Sequence, residues 1–229
     1  MNNNYNFDIV IAYQENIYTN LQTSKHILVD YLLKKNLKIL YIEYPRPIHK
    51  WLKCQISNIL NKNTKYQNYY LNNKLRVIRP LSVIPTKYIF DKKFFCELES
   101  NFVYLYLLVA LRISKLSCKT IFIYLPNAIS LSKKYMIKHQ KKIYHLIDDF
   151  RYLTRAPKCF DFYHKQTIKL CDFVITPSEV LSKKLGPKKS FLIHHGFKKY
   201  EKKITKSIYG KYIKNNNKNI LYYGQLDKL

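Results

Sequence analysis

Short, nearly continuous apolar runs recur along this chain, each separated from the next by a stretch with helical spacing or a polar break. The runs are FDIVIA (7 to 12), LKILYIEYP (37 to 45), Leu75 to Arg79, KTIFIYLP (119 to 126), KKIYHLID (141 to 148), CDFVITPS (171 to 178) and KSFLIHHG (189 to 196). A strand with one wet face alternates polar and apolar residues, whereas a run that is apolar at nearly every position is buried on both faces, as in a parallel sheet. Seven such strands alternating with helices predict an α/β fold built on a doubly wound, mainly parallel sheet.

The intervening stretches carry helix signals. TSKHILVDYLLKKN places Ile27, Leu28, Tyr31 and Leu32 at helical spacing, with Thr23 or Ser24 as cap and lysines in the last turn. A short helix is expected in HKWLKCQISNILNK, a long one over Lys92 to Leu116, and others near 130 to 139, 158 to 170 and 178 to 185. After Gly196 the texture changes to KKYEKKITKSIYGKYIKNNNKN, rich in lysine and asparagine without periodicity, which reads as a linker. NILYYG then reads as a new strand running into a turn at Gly224. The expected organisation is therefore one α/β domain over 1–197, a linker over 198–218 and, at 219–229, the first strand of a second domain. A length of 229 residues suits one such core rather than two.

Composition narrows the partners. A hydrophobic share of 47% excludes a disordered chain despite the net charge of +27. That charge favours anionic surfaces, a nucleic acid or an acidic bilayer among them, although Lys, Asn, Ile, Tyr and Phe rise together as AT-rich coding makes them do. Nucleic-acid binders interleave aromatics and cations along a groove; here Tyr and Phe mostly occupy strand cores, so nucleic acid is disfavoured. The five cysteines form no C-x-x-C pair and are odd in number, which fits free thiols in a reducing compartment. MNNNYNFDIVIAY lacks the basic and apolar segments of a signal peptide. The apolar run Phe102 to Leu111 is about half of what a membrane span needs and reads as a buried helix.

Several chemistries are excluded. The four glycines, Gly186, Gly196, Gly210 and Gly224, are too far apart for a G-x-G-x-x-G turn or a P-loop, both of which need closely spaced glycines to bring backbone N–H groups onto phosphate. G-x-S-x-G, H-E-x-x-H and D-x-D are all lacking, which counts against common hydrolases, zinc proteases and cation-dependent sugar transferases.

In open α/β sheets ligands bind beyond the carboxyl ends of the strands, so candidate residues are those following each apolar run. These include Gln14, Asn127, Asp148, Asp149, Ser178, Glu179, His195 and Gly196. Asp148 and Asp149, Asp149 above all, are placed to bind hydroxyls or act as a base, or else to cap the next segment and meet solvent. Ser178 suits a helix cap as well as a ligand contact. Ser24 and His26 begin the first helix, whose positive end can meet a phosphate or a sugar hydroxyl, or simply be capped. Lys133 and Lys134 face lipid head groups or water. His195 and Gly196 shape the exit to the linker, and a histidine pair without Cys or acidic neighbours does not make a metal site.

Taken in order, HLIDDFRYL, CDFVITPSEVLSKKL, FLIHHGF, a linker and NILYYGQLDKL resemble the core of the GT-B glycosyltransferases of the family 4 (group 1) type. QTSKHILVDYLLKKNLKILYIEYPRP is similar to that family's first helix and second strand, so the resemblance covers nearly the whole chain. His194 and His195 stand where the family has proline and asparagine. The resemblance implies two Rossmann-like domains facing a cleft. The first would bind a glycan or lipid-linked acceptor through Gln14, Ser24, His26, Asn127, Ser178 and Glu179 with Asp149 and Asp148 as catalytic candidates, and His195, Gly196 and Gly224 would line the hinge and cleft. It implies a nucleotide-sugar donor as substrate, no covalently bound cofactor and no required metal. It further implies a cytoplasmic enzyme of cell-envelope polysaccharide synthesis, peripheral at the inner face of the membrane. On this reading the chain is an incomplete transferase with little turnover alone, its donor half encoded downstream of Leu229.

Overall fold

The computed structural model describes residues 6–14, 24–49, 70–84, 92–133, 136–149, 159–186 and 189–194. The chain divides into two compact units, Met1–Gly196 and Phe197–Leu229, and every described residue lies in the first. The linker and the last strand expected from the sequence, with the HKWLKCQISNILNK helix beyond its first residue, lie outside the described residues.

All seven expected strands form. They are β1 (Phe7–Gln14), β2 (Ile39–Glu43), β5 (Leu75–Ile78), β7 (Ser117–Ile123), β8 (Lys138–His145), β9 (Phe173–Thr176) and β10 (Ser190–Leu192). They pair in parallel throughout, in the order β10-β9-β8-β7-β1-β2-β5. A short strand β4 (Tyr70–Asn72) adds an antiparallel edge to β5, and two-residue strands β3 (Arg46–Pro47) and β6 (Leu81–Ser82) pair beside the sheet.

The period-2 alternation of strand side chains sorts the core into two layers. Ile9 and Ile11 of β1 point to one face, with Ile39, Tyr41, Leu75, Val77 and Phe122. That face is covered by Val29 and Leu32 of α1 (Ser24–Lys34). Val10 and Ala12 point to the other, with Leu40, Ile42, Ile78, Ile121 and Ile123. There they meet α2 (Lys93–Leu111), a 3-10 turn (Pro126–Ser132), α3 (Phe160–Leu170) and α4 (Glu179–Leu185), through Val103, Leu107, Ile129, Tyr163 and Leu181 among others. Each such aliphatic side chain removed from water stabilises the fold by about 1.5–3 kcal/mol. With helices on both faces the sheet is doubly wound.

Carboxylates fasten the amino edge. Asp8 Oδ2 accepts the Lys38 N–H at 2.8 Å and Oδ1 pairs with Lys119 Nζ at 2.6 Å. Asp172 Oδ2 accepts the Lys142 N–H at 2.7 Å. Each carboxylate thus ties the entry of one strand to its neighbour.

The expected boundaries need two corrections. The long helix stops at Leu111 rather than Leu116, because Arg112 turns left-handed (φ 53°) and its N–H and that of Ile113 close on the Leu108 and Val109 carbonyls. The helix expected near 130 to 139 is instead the end of the 3-10 turn followed by the start of β8. Pro126 sets the φ of that turn, and the polar KHQKK at the head of β8 lies at the exposed amino edge, so it lacks the apolar signature of its neighbours.

Candidate functional site

Strand order reverses between β1 and β7: β2 and β5 lie to one side, β8, β9 and β10 to the other. Connections leave the carboxyl edge in opposite directions here and open a crevice, which is where ligands bind in such sheets. Three elements converge on it. β7 ends at Ile123, so Tyr124 is the first residue past it. Its ring lies 4.7 Å, centroid to centroid, from that of His145, the last residue of β8. Lys25, in the first turn of α1, holds its Nζ 5.8 Å from the Tyr124 ring centroid, a cation–π approach. His26, one residue on, is buried in the same turn. The Tyr124 hydroxyl is buried, makes no hydrogen bond among the described residues, and is held by burial in its neutral form well above the ordinary range. A cationic helix start beside a half-buried imidazole suits a ligand that offers hydroxyls or an anionic group, with the buried Tyr124 ring behind them.

A second polar cluster lies on the other side of the same edge. Tyr13 adopts a left-handed backbone (φ 57°) near the end of β1, a conformation that costs a residue with a Cβ about 1–3 kcal/mol. Its ring meets Tyr44, just past β2, edge to face at 5.7 Å. Glu99 of α2 reaches the same cluster and is only 3% exposed. The Ser82 hydroxyl near it is committed to the Ile84 carbonyl (2.7 Å), and that of Ser100, near Tyr13, to the Cys96 carbonyl (3.0 Å). Neither Glu99 oxygen accepts a directed bond among the described residues. Burial therefore dominates, with Ser82 opposing it weakly, and pushes the Glu99 carboxyl up to about 7. The same burial raises Tyr13 and Tyr44 and takes Cys96 to about 11. Glu99 is thus the carboxyl here whose charge changes near neutral pH, and the sequence reading missed it. The signal was present: an acid three residues after Cys96 and four before Val103 falls on the helix's buried stripe.

The candidates named from sequence are dispersed. His26 is buried in the first turn of α1, next to Lys25 in sequence, and Gln14 ends β1 in register with Glu43, itself buried and ion-paired to Arg79. Ser24 opens α1. Asn127 is buried in the 3-10 turn, where its amide group meets the Tyr44 hydroxyl. Its Oδ1 has no hydrogen bond among the described residues. Asp148 is exposed and Asp149 half-buried, three and four residues past the end of β8. Ser178 is a helix cap: its Oγ accepts the Leu181 N–H at 3.4 Å. Glu179 lies exposed in the first turn of α4. Both follow β9, three strands from β1 and so about 14 Å from it across the sheet. His195, Gly196 and Gly224 lie outside the described residues, as does Lys134. Lys133 pairs with Glu97 at 3.1 Å. Among the described residues no group of His, Cys, Asp and Glu is arranged to hold a metal, and Cys96, Cys118, Cys159 and Cys171 are buried free thiols.

Compared with protein-family models and with curated protein sequences, the chain matches none. The strand order, the parallel pairing and the helices on both faces define the class of its described part: a Rossmann-like α/β domain with its crevice between β1 and β7.

Proposed function

We propose that this domain is the acceptor-binding lobe of a GT-B type glycosyltransferase, which receives a sugar from a nucleotide-sugar donor onto a glycan or lipid-linked acceptor. The observation that carries the reading is the convergence of Lys25, Tyr124 and His145 at the switch point of a Rossmann-like sheet. The order of motifs along the chain, from the first helix to FLIHHGF, supports it independently.

The chemistry of the crevice is consistent with this role. Tyr124 is buried and backs the crevice, holding His145 and Lys25 around its ring, and Lys25 stands ready for a phosphate or carboxylate of the acceptor. His145 borders the same ring with an imidazole whose nitrogens can donate to or accept from a sugar hydroxyl. Asp149 and Asp148 follow on the same strand end and remain the carboxylates proposed to assist.

Equilibrium binding of the full chain to a soluble acidic oligosaccharide, beside a duplex DNA of equal charge, tests the reading. Saturable oligosaccharide binding that weakens about tenfold in His145→Ala, with DNA binding unchanged by that substitution, supports it. Binding of DNA alone, or oligosaccharide binding indifferent to His145, rejects it in favour of a generic basic binding module.

A further inference from the structure

The sequence reading made the apolar segment after Phe102 a buried helix, and that holds for one face of α2 only. Cys96, Glu99, Ser100, Val103, Leu107 and Leu111 point inward. On the opposite side Phe94 (70%), Phe102 (40%), Leu105 (56%) and Val109 (78%) are exposed. With the half-buried Leu98 they form one row at helical spacing, about 22 Å long. A helix apolar all round is normally enclosed. Among the described residues α2 is the helix long and apolar enough to cross a membrane, yet its inner face is occupied by the sheet.

We infer that the outer row of α2 docks the protein onto an anionic bilayer surface, with the helix lying in the plane of the headgroups. Exposed cations stand at both ends of the row, Lys92 and Lys93 before it and Arg112 and Lys115 after it. That is the arrangement in which apolar side chains enter the acyl boundary while cations meet lipid phosphates. The chain's net charge of +27 acts in the same direction and opposes a second copy on this face, since two such surfaces repel. The row itself carries no polar side chain; beside it Asn101 is exposed and Glu97 is paired with Lys133, which suits a fluid hydrocarbon boundary better than a protein groove.

The docked face adjoins the carboxyl edge of the sheet. Helix α2 begins there, and Lys93 lies over the ring of Phe162 of α3 at 4.7 Å while its carbonyl accepts the Tyr163 hydroxyl at 3.2 Å. A bilayer held here brings lipid-linked molecules to the edge that carries the crevice. This last step rests on the transferase reading; the docking itself does not.

Co-sedimentation of the full chain with phosphatidylglycerol vesicles and with phosphatidylcholine vesicles, without donor or acceptor, tests the inference. The expected result is binding to the anionic vesicles, weakened by salt, and reduced about tenfold or more in Leu105→Glu/Val109→Glu with an unchanged melting curve. Lys93→Ala/Arg112→Ala should bind severalfold more weakly with a shallower salt dependence. The inference is overturned if the wild-type chain ignores anionic vesicles at low salt, or if the double Glu variant binds as well as wild type. A wild-type dimer that the double Glu variant dissociates would also overturn it, by giving the face to a second copy.

Discussion

Glu99 and Tyr13 share one buried polar cluster, from α2 and the end of β1 respectively, although 86 positions separate them in sequence. The carboxyl is shut away from water without a directed hydrogen bond, so its charged form is disfavoured in the folded chain. Stability should therefore depend on pH. The Glu99 pKa in the folded state, about 7, exceeds its ordinary 4.5, so the folded state holds the proton more tightly than the unfolded one. Stability is full below about pH 4.5, falls as pH rises towards 7, and levels above it. Glu99→Gln should flatten this slope and raise stability at pH 8 by on the order of 2–3 kcal/mol. Urea unfolding at pH 5 and pH 8 measures it.

At the amino edge the sign reverses. Burial alone would raise Asp8, but the bonds from Lys119 and the Lys38 N–H outweigh it and hold the carboxyl below its ordinary value. This contribution is present above the ordinary carboxylate range and is lost as pH falls through the lowered value. Asp8→Asn should cost about 1–2 kcal/mol at pH 7 and leave the chain less sensitive to acid, as followed by thermal melts at pH 7 and pH 3.

Ser178 discriminates capping from ligand binding. Its Oγ is engaged with the Leu181 N–H. Ser178→Ala should lower stability by about 1 kcal/mol and leave acidic-oligosaccharide affinity unchanged. A loss of affinity without loss of stability would return Ser178 to the acceptor site.

The two faces of α2 predict opposite responses. Leu107 is fully buried in the core, so Leu107→Ala should cost about 2–5 kcal/mol. Leu105→Ala, on the exposed row, should stay within about 0.5 kcal/mol. Chemical denaturation of both variants checks the assignment of faces.

How far the sequence could be read depended on burial. The seven parallel strands were legible because runs such as ILYIE are buried at every position. The head of β8 was not, because KHQKK lies at the exposed amino end of this interior strand and carries no apolar signature. The ends of strands were placed too late for the same reason in reverse. Leu125 and Leu146 remain apolar and buried or half-buried after β7 and β8 have ended, so the apolar runs lead to Asn127 and Asp148 rather than to Tyr124 and His145. Lys25 lay one position from the named His26, and its meeting with Tyr124 depends on tertiary packing that no local pattern encodes. Glu99 was legible as an acid on an apolar stripe. Its proximity to Tyr13 and Tyr44 was not, since it joins three separate elements.

The most direct test of the acceptor-lobe account is an NMR titration of the full chain with an acidic oligosaccharide, following ring resonances of Tyr124 and His145. The account predicts saturable shifts at both rings, abolished in Lys25→Ala while the rest of the spectrum is retained. Shifts confined to surface lysines, with both rings silent at saturation, would contradict it.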